Sequence, residues 1–177
     1  MKKMLNSLLL FFLAGCAGQD VQMYEKEQPR LDVAEFFNGT TDAWGMFQRR
    51  SGEVVKRFKV EIEGKVETGT LQLDEKFRNS DGSTDRRVWK LIRLPDGRWQ
   101  GTAGDVKGQA YGEVAGNAFR WQYTLLLPID GKTYEMHFDD WMYLIDECTM
   151  LNRASMRKFG VELGQVTFMF RKRSCSH

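Results

Sequence analysis

The sequence predicts an all-β fold: an antiparallel up-and-down barrel of eight or nine strands, preceded by a short helix or loop. From Glu53 onward apolar and polar residues alternate with period two, the pattern of a strand with one buried face. The alternating stretches are joined by short turns containing Gly, Pro or Asn, and the crossover helices that a parallel sheet requires are missing. A long antiparallel meander exposes two edges, and closing into a barrel removes them.

Residues 31–50 lack clean alternation and are expected to form a short helix or turn leading into a loop. In residues 57–63, Phe58, Val60 and Ile62 alternate with charged neighbours. Residues 70–77 repeat the pattern with Leu71, Leu73 and Phe77, and Glu75 falls on that same apolar face. Further strands are expected at 84–94, 97–103, 108–116, 118–127, 132–145, 149–159 and 162–172, with turns at 79–82, 95–97, 115–117, 128–131 and 159–160. Gly101, Gly104, Gly108, Gly112 and Gly116 recur every three or four residues. Without a following helix or a GK[ST] ending they read as bulges or tight bends, not as a phosphate cradle.

Residues 1–15 carry the basic pair Lys2 and Lys3, an apolar run over 8–13 and small residues before Cys16, the pattern of a secretory signal peptide. The run is shorter than the roughly 18 residues that span a bilayer. "LAGC" at 13–16 resembles a bacterial lipobox, which implies a lipidated Cys16. The alternative is ordinary cleavage near Ala17. Ala17 after the cysteine, where Asp would signal otherwise, implies the outer membrane of a Gram-negative cell, facing the periplasm. Residues 16–30 then read as a lipidated flexible tether, and 31–177 as a single β-barrel domain. Without Lys2 and Lys3 the 26 basic residues fall to the same 24 as the acidic ones. That balance excludes a general attraction to nucleic acid. Attachment to a membrane would rest on the acyl chains, about 0.8 kcal/mol per buried CH₂.

Only His137 and His177 are present, and no nucleophile elbow accompanies either, so neither a His-based catalytic site nor a His-rich metal centre is expected, and no cofactor. The carboxylates are better candidates. Asp139 and Asp140 are strand neighbours, so they point to opposite faces, and which of the two turns inward is left open by the pattern. Glu75 and Asp105 are further acids that could face the interior. A buried carboxylate predicts a cationic partner. With Asp146 opposite Thr149, Asp140 falls opposite Ser155 and shares a face with Arg153, so Asp140 and Arg153 form a candidate polar pair, structural first and ligand-anchoring second. The same hairpin geometry brings Cys148 and Cys175 to one barrel end, which makes a disulfide possible. Trp121, Tyr123 and Phe138 are candidate lining for a pocket, since a small barrel is wide enough to hold one small ligand.

Several stretches together are similar to the DUF3833 family of bacterial lipoproteins: "FNG" and "AWG" at 37–39 and 43–45, "LDEKF", "RVW", "GTAGDVKGQAYGEVAGNAFRWQY", "DDWM" and "LNRASMRKFG". The family is uncharacterised, so the resemblance brings no catalytic residues. It implies a barrel of the calycin or lipocalin kind, encoded near fatty-acid-modifying enzymes, an association that points to lipid. The Gly-x-Trp of true lipocalins is absent, since "AWG" places the Trp before the Gly. The expected function is a non-enzymatic envelope lipoprotein that binds or carries a small hydrophobic molecule, a fatty acid or lipid. The alternatives are a carboxylate-dependent enzyme acting on lipid or glycan, and a structural envelope protein without ligand.

Overall fold

The computed structural model describes residues 18–175, so the expected signal peptide, Cys16 and His177 lie outside the described residues. Ten antiparallel strands close into one barrel: β1 (Gly39–Arg49), β2 (Val54–Glu67), β3 (Thr70–Asn79), β4 (Thr84–Arg93), β5 (Trp99–Thr102), β6 (Ala110–Ala115), β7 (Ala118–Ile129), β8 (Lys132–Asp146), β9 (Thr149–Lys158) and β10 (Val161–Lys172). Each strand pairs with its neighbours in sequence, and β1 closes the ring against β10 with Thr41 opposite Lys172.

The count exceeds the expected eight or nine because β1 occupies a stretch read as a loop. Its inward positions are Thr41, Ala43 and Gly45, while Trp44 points outward and is partly exposed. An inner face of small residues has no apolar signature. It is small because rings from both neighbouring strands fill the space: a Cβ on Gly45 would lie 2.5 Å from Phe168 and 2.6 Å from Phe58.

The expected short helix is α1 (Val33–Phe37), capped by Asp32, whose carboxylate accepts from the Glu35 amide at 3.0 Å. It buries Val33, Phe36 and Phe37 at the end of the barrel where β1 begins, with Phe37 edge-on to Phe36 and Phe170. Gly64 on β2 permits this close approach, because any Cβ there would collide with the Phe37 carbonyl.

The segment expected to be a free tether is bound to the outer wall. A single 3-10 turn, Val21–Tyr24, buries Val21 with Ala115, Ala118 and Trp141, and Tyr24 packs edge-on against Trp141 and Tyr143. The Leu31 amide donates to the Gly116 carbonyl at 2.8 Å. Gly116, at φ +53°, passes against the Tyr24 carbonyl where no side chain would fit. The cause is the outward face of β8, where Trp141 and Tyr143 present apolar area that water would otherwise cover. At the same barrel end, Cys148 in the β8–β9 turn is bridged to Cys175 beyond β10, with Cα atoms 6.0 Å apart.

Candidate functional site

The interior is not solid. A central cavity of about 100 Å³ lies between α1 and the middle of the barrel, walled by Val60, Ile62, Leu73, Trp89, Phe119 and Phe168 among others. Strand register places the polar groups on it. Glu75 on β3 sits opposite Arg87 on β4, and Trp121 on β7 sits opposite Asp140 on β8. Room for the Trp121 ring comes from two inward glycines: a Cβ on Gly101 or Gly112 would lie 2.9 Å or 2.5 Å from the indole. The glycine run therefore serves interior packing as well as bends.

Of the expected lining, Trp121 and Tyr123 face the cavity, whereas Phe138 stacks behind Tyr123 at 5.2 Å, with the two ring planes nearly parallel. Asp140 turns inward and is 7% exposed. Its Oδ2 accepts from the Tyr123 hydroxyl at 3.3 Å, and its Oδ1 is buried with no hydrogen-bond partner. Arg153 is not its partner. Asp146 does face Thr149, but the register slips between Leu144 and Asp146, so Asp140 lies opposite Ala154 instead of Ser155. That one-residue bulge reverses the parity of β9 relative to β8. Arg153 points outward and donates to Gln165 Oε1 at 3.0 Å. Asp139 also points outward, in a two-bond pair with Arg120 (2.8 and 2.9 Å), whose guanidinium lies over the Trp141 ring. His137 faces outward as well, bonded through Nδ1 to Thr124.

The cation inside is Arg87. It holds Asp105 through Nε (3.1 and 3.0 Å) and Nη2 (2.8 Å), and its Nη1 is 3.8 Å from Glu75 Oε2. The side chains are 15% exposed for Glu75, 20% for Arg87 and 40% for Asp105, so the cluster leads from the cavity toward solvent in the β5–β6 connection. Arg87 was legible in principle, since it precedes Trp89 and Leu91 at two-residue spacing on the inward phase. The adjacent Arg86, which points outward to Asp74, masks it.

Burial pushes the Asp140 carboxyl up to about 8, against the opposing pull of the Tyr123 hydrogen bond and the Arg87 charge. Burial likewise raises Glu75 to about 7, with Arg87 pulling down and Asp105 pushing up. Burial acts to lower Arg87, but the Glu75 charge and the Asp105 hydrogen bonds outweigh it and hold the guanidinium above its ordinary range. Tyr123 is raised by burial first and by Asp140 second. The Arg87 guanidinium thus has Asp105 as its bonded partner and Glu75 beside it, while at neutral pH burial favours the protonated form of Asp140 and leaves Glu75 near its midpoint.

A family model described as "Protein of unknown function (DUF3833)" matches residues 10–172, nearly the whole chain. The chain belongs to the DUF3833 family. Among curated proteins no match is found for this DUF3833 chain. Among solved structures, its barrel is similar to an S-type phycobiliprotein lyase from Guillardia theta, at a TM-score of 0.58 and 7% identity, over 89% of this chain and 99% of that one. Looser matches are a de novo designed fluorescence-activating β-barrel (TM-score 0.43, 16% identity, 81% of this chain and 99% of that one) and apocrustacyanin C2 (0.36, 13%, 81% and 64%). The first of these shows a shared fold; the other two carry no weight. The DUF3833 barrel is of the calycin or lipocalin-like kind.

Proposed function

We propose that this protein binds a small hydrophobic molecule of the fatty-acid or lipid kind inside the barrel, and does so as a lipoprotein anchored through acyl chains on Cys16 at the periplasmic face of the outer membrane. One observation carries the binding reading: an aromatic-walled cavity is lined by Asp140, whose carboxyl has a buried oxygen with no partner. Native proteins satisfy nearly all buried polar atoms, so such an orphan calls for a ligand group. At about 100 Å³ the cavity is below the roughly 300 Å³ of drug-sized pockets, which favours a short molecule or the end of a longer one. The lipobox-like "LAGC" supports the anchor, and the Cys148–Cys175 bridge fits an oxidising compartment. Native mass spectrometry of protein purified from membranes tests the binding reading. A bound or exchangeable apolar species supports it, and a protein that neither carries nor takes up any such species refutes it. Metabolic labelling with palmitate, lost on Cys16→Ser, tests the anchor.

A second reading is favoured by a specific observation: Glu75 and Asp140, both with raised pKa values, face one cavity, as a carboxylate-dependent enzyme acting on lipid or glycan would require. The cavity volume leaves no room for a glycan chain, which limits that reading to a short lipid substrate.

A further inference from the structure

We infer that the cavity takes an amphiphile whose polar end is an uncharged hydroxyl or a cationic amine, and that it discriminates against a carboxylate. This rests on the ligand-binding reading above and narrows it, setting fatty-acid anions aside in favour of lipids that end in a hydroxyl or an amine.

The cavity is built around an excess of acid. Among its lining residues Arg87 is the lone cation, facing the lining acids Glu75 and Asp140. Its guanidinium is already committed: Nε and Nη2 hold Asp105, and Nη1 faces Glu75. An incoming carboxylate would therefore find no open fork of donors, and would bring a further negative charge into a site whose cation is matched. Burying an uncompensated charge is costly, because the low-dielectric wall cannot replace the lost hydration.

A donor group meets the opposite situation. Asp140 lines the cavity, its Oδ1 buried and without a partner, while its Oδ2 is held by Tyr123. A ligand hydroxyl placed there donates to Oδ1 and leaves the charge of the site unchanged. An ammonium placed there favours the ionised form of Asp140, which releases its proton to solvent and pairs with the cation, and the surrounding aromatic faces add their attraction. Trp89 and Trp121 stand 5.7 Å apart and Trp89 and Tyr123 5.3 Å apart, so the polar floor is enclosed by rings. Apart from Asn152, whose amide donates to the Trp141 carbonyl at 3.5 Å, the rest of the wall, from Val33 and Phe37 to Leu91 and Phe170, is apolar and suited to a hydrocarbon tail.

The test is a matched series at neutral pH: 1-hexanol, hexylamine and hexanoate titrated into the purified protein, read by calorimetry and by the fluorescence of Trp89 and Trp121. Hexanol and hexylamine should bind, with hexanoate weaker by about tenfold or more. Hexanoate binding as tightly as hexanol would overturn the inference while leaving the ligand-binding reading standing. Binding of none of the three would overturn both. The variant Asp105→Asn frees the guanidinium at the partly exposed mouth of the cluster, so it should raise hexanoate affinity by about tenfold and leave hexanol within about twofold. A folded Asp105→Asn protein that still excludes hexanoate refutes the assigned cause. Should that variant fail to fold, the wild-type ranking decides alone.

Discussion

Replacing Asp140 by Asn separates the shape of the side chain from its charge. The folded barrel holds the Asp140 carboxyl at about 8, against an ordinary 3.8, chiefly because burial disfavours the anion. Between those values the native protein keeps a proton that the unfolded chain has released, so stability falls as pH rises through the window. Each unit of pKa corresponds to about 1.4 kcal/mol, and a displacement of roughly four units therefore to on the order of 5 kcal/mol, fully present below about pH 4 and largely lost by about pH 8. That is comparable to the whole net stability of many domains, roughly 5–15 kcal/mol. Asn has nearly the same shape and no proton to lose. Asp140→Asn should match the wild type within about 1 kcal/mol near pH 4 and exceed it by several kcal/mol above pH 8. The assay is urea unfolding followed by tryptophan fluorescence across that range with the disulfide oxidised. The wild type should lose stability steeply, and the variant should keep only the shallower dependence due to Glu75, whose pKa is raised to about 7. Parallel pH profiles for the two proteins, or a variant less stable than wild type at high pH, would refute the reasoning, because Asp140 would then be ionised and well paired in the native state.

Arg87→Met removes the cation facing Glu75 and Asp105; the loss should reach about 3–5 kcal/mol above pH 8 and shrink toward pH 5 as Glu75 protonates, measured by the same unfolding series. In Gly112→Ala the added Cβ would stand 2.5 Å from both Trp121 and Phe119, so overpacking of about 1–3 kcal/mol and a shift in tryptophan emission are expected; an unchanged melting temperature would show that the indole repacks freely. The double change Cys148→Ser with Cys175→Ser opens a bridge spanning 27 positions and should cost about 3–4 kcal/mol on the chain-entropy account; non-reducing and reducing melts of the wild type should bracket the same difference.

The barrel was legible because β2, β3, β7 and β8 bury alternate large apolar residues, which period-two patterning detects. β1 was not, because its inward residues are small for the sake of Phe58 and Phe168, which belong to other strands. The site was read in halves. Asp140, Glu75, Trp121 and Tyr123 were recognised as inward candidates, and all four line the cavity. The partner was misassigned, since a single slipped residue between Leu144 and Asp146 decides whether Arg153 faces the interior or the solvent. A bulge of this kind leaves no trace in composition or hydropathy. The N-terminal segment escaped notice for a related reason: Val21 and Tyr24 are too few to form a pattern, and their apolar partners, Trp141 and Tyr143, lie more than a hundred positions away.

The docking of that segment governs how the barrel can be mounted. Gln19 bonds the Tyr143 hydroxyl at 3.0 Å, and its carbonyl accepts from Arg120 at 3.5 Å, so the chain is held to the β7–β8 wall from its second described residue. Two peptide steps separate Gly18 from Cys16, a reach of at most about 7 Å. If Cys16 carries lipid, the protein has a bracket where the sequence suggested a leash. One side of the cylinder would be kept near the headgroups, and the barrel's orientation to the bilayer would be set by its own wall.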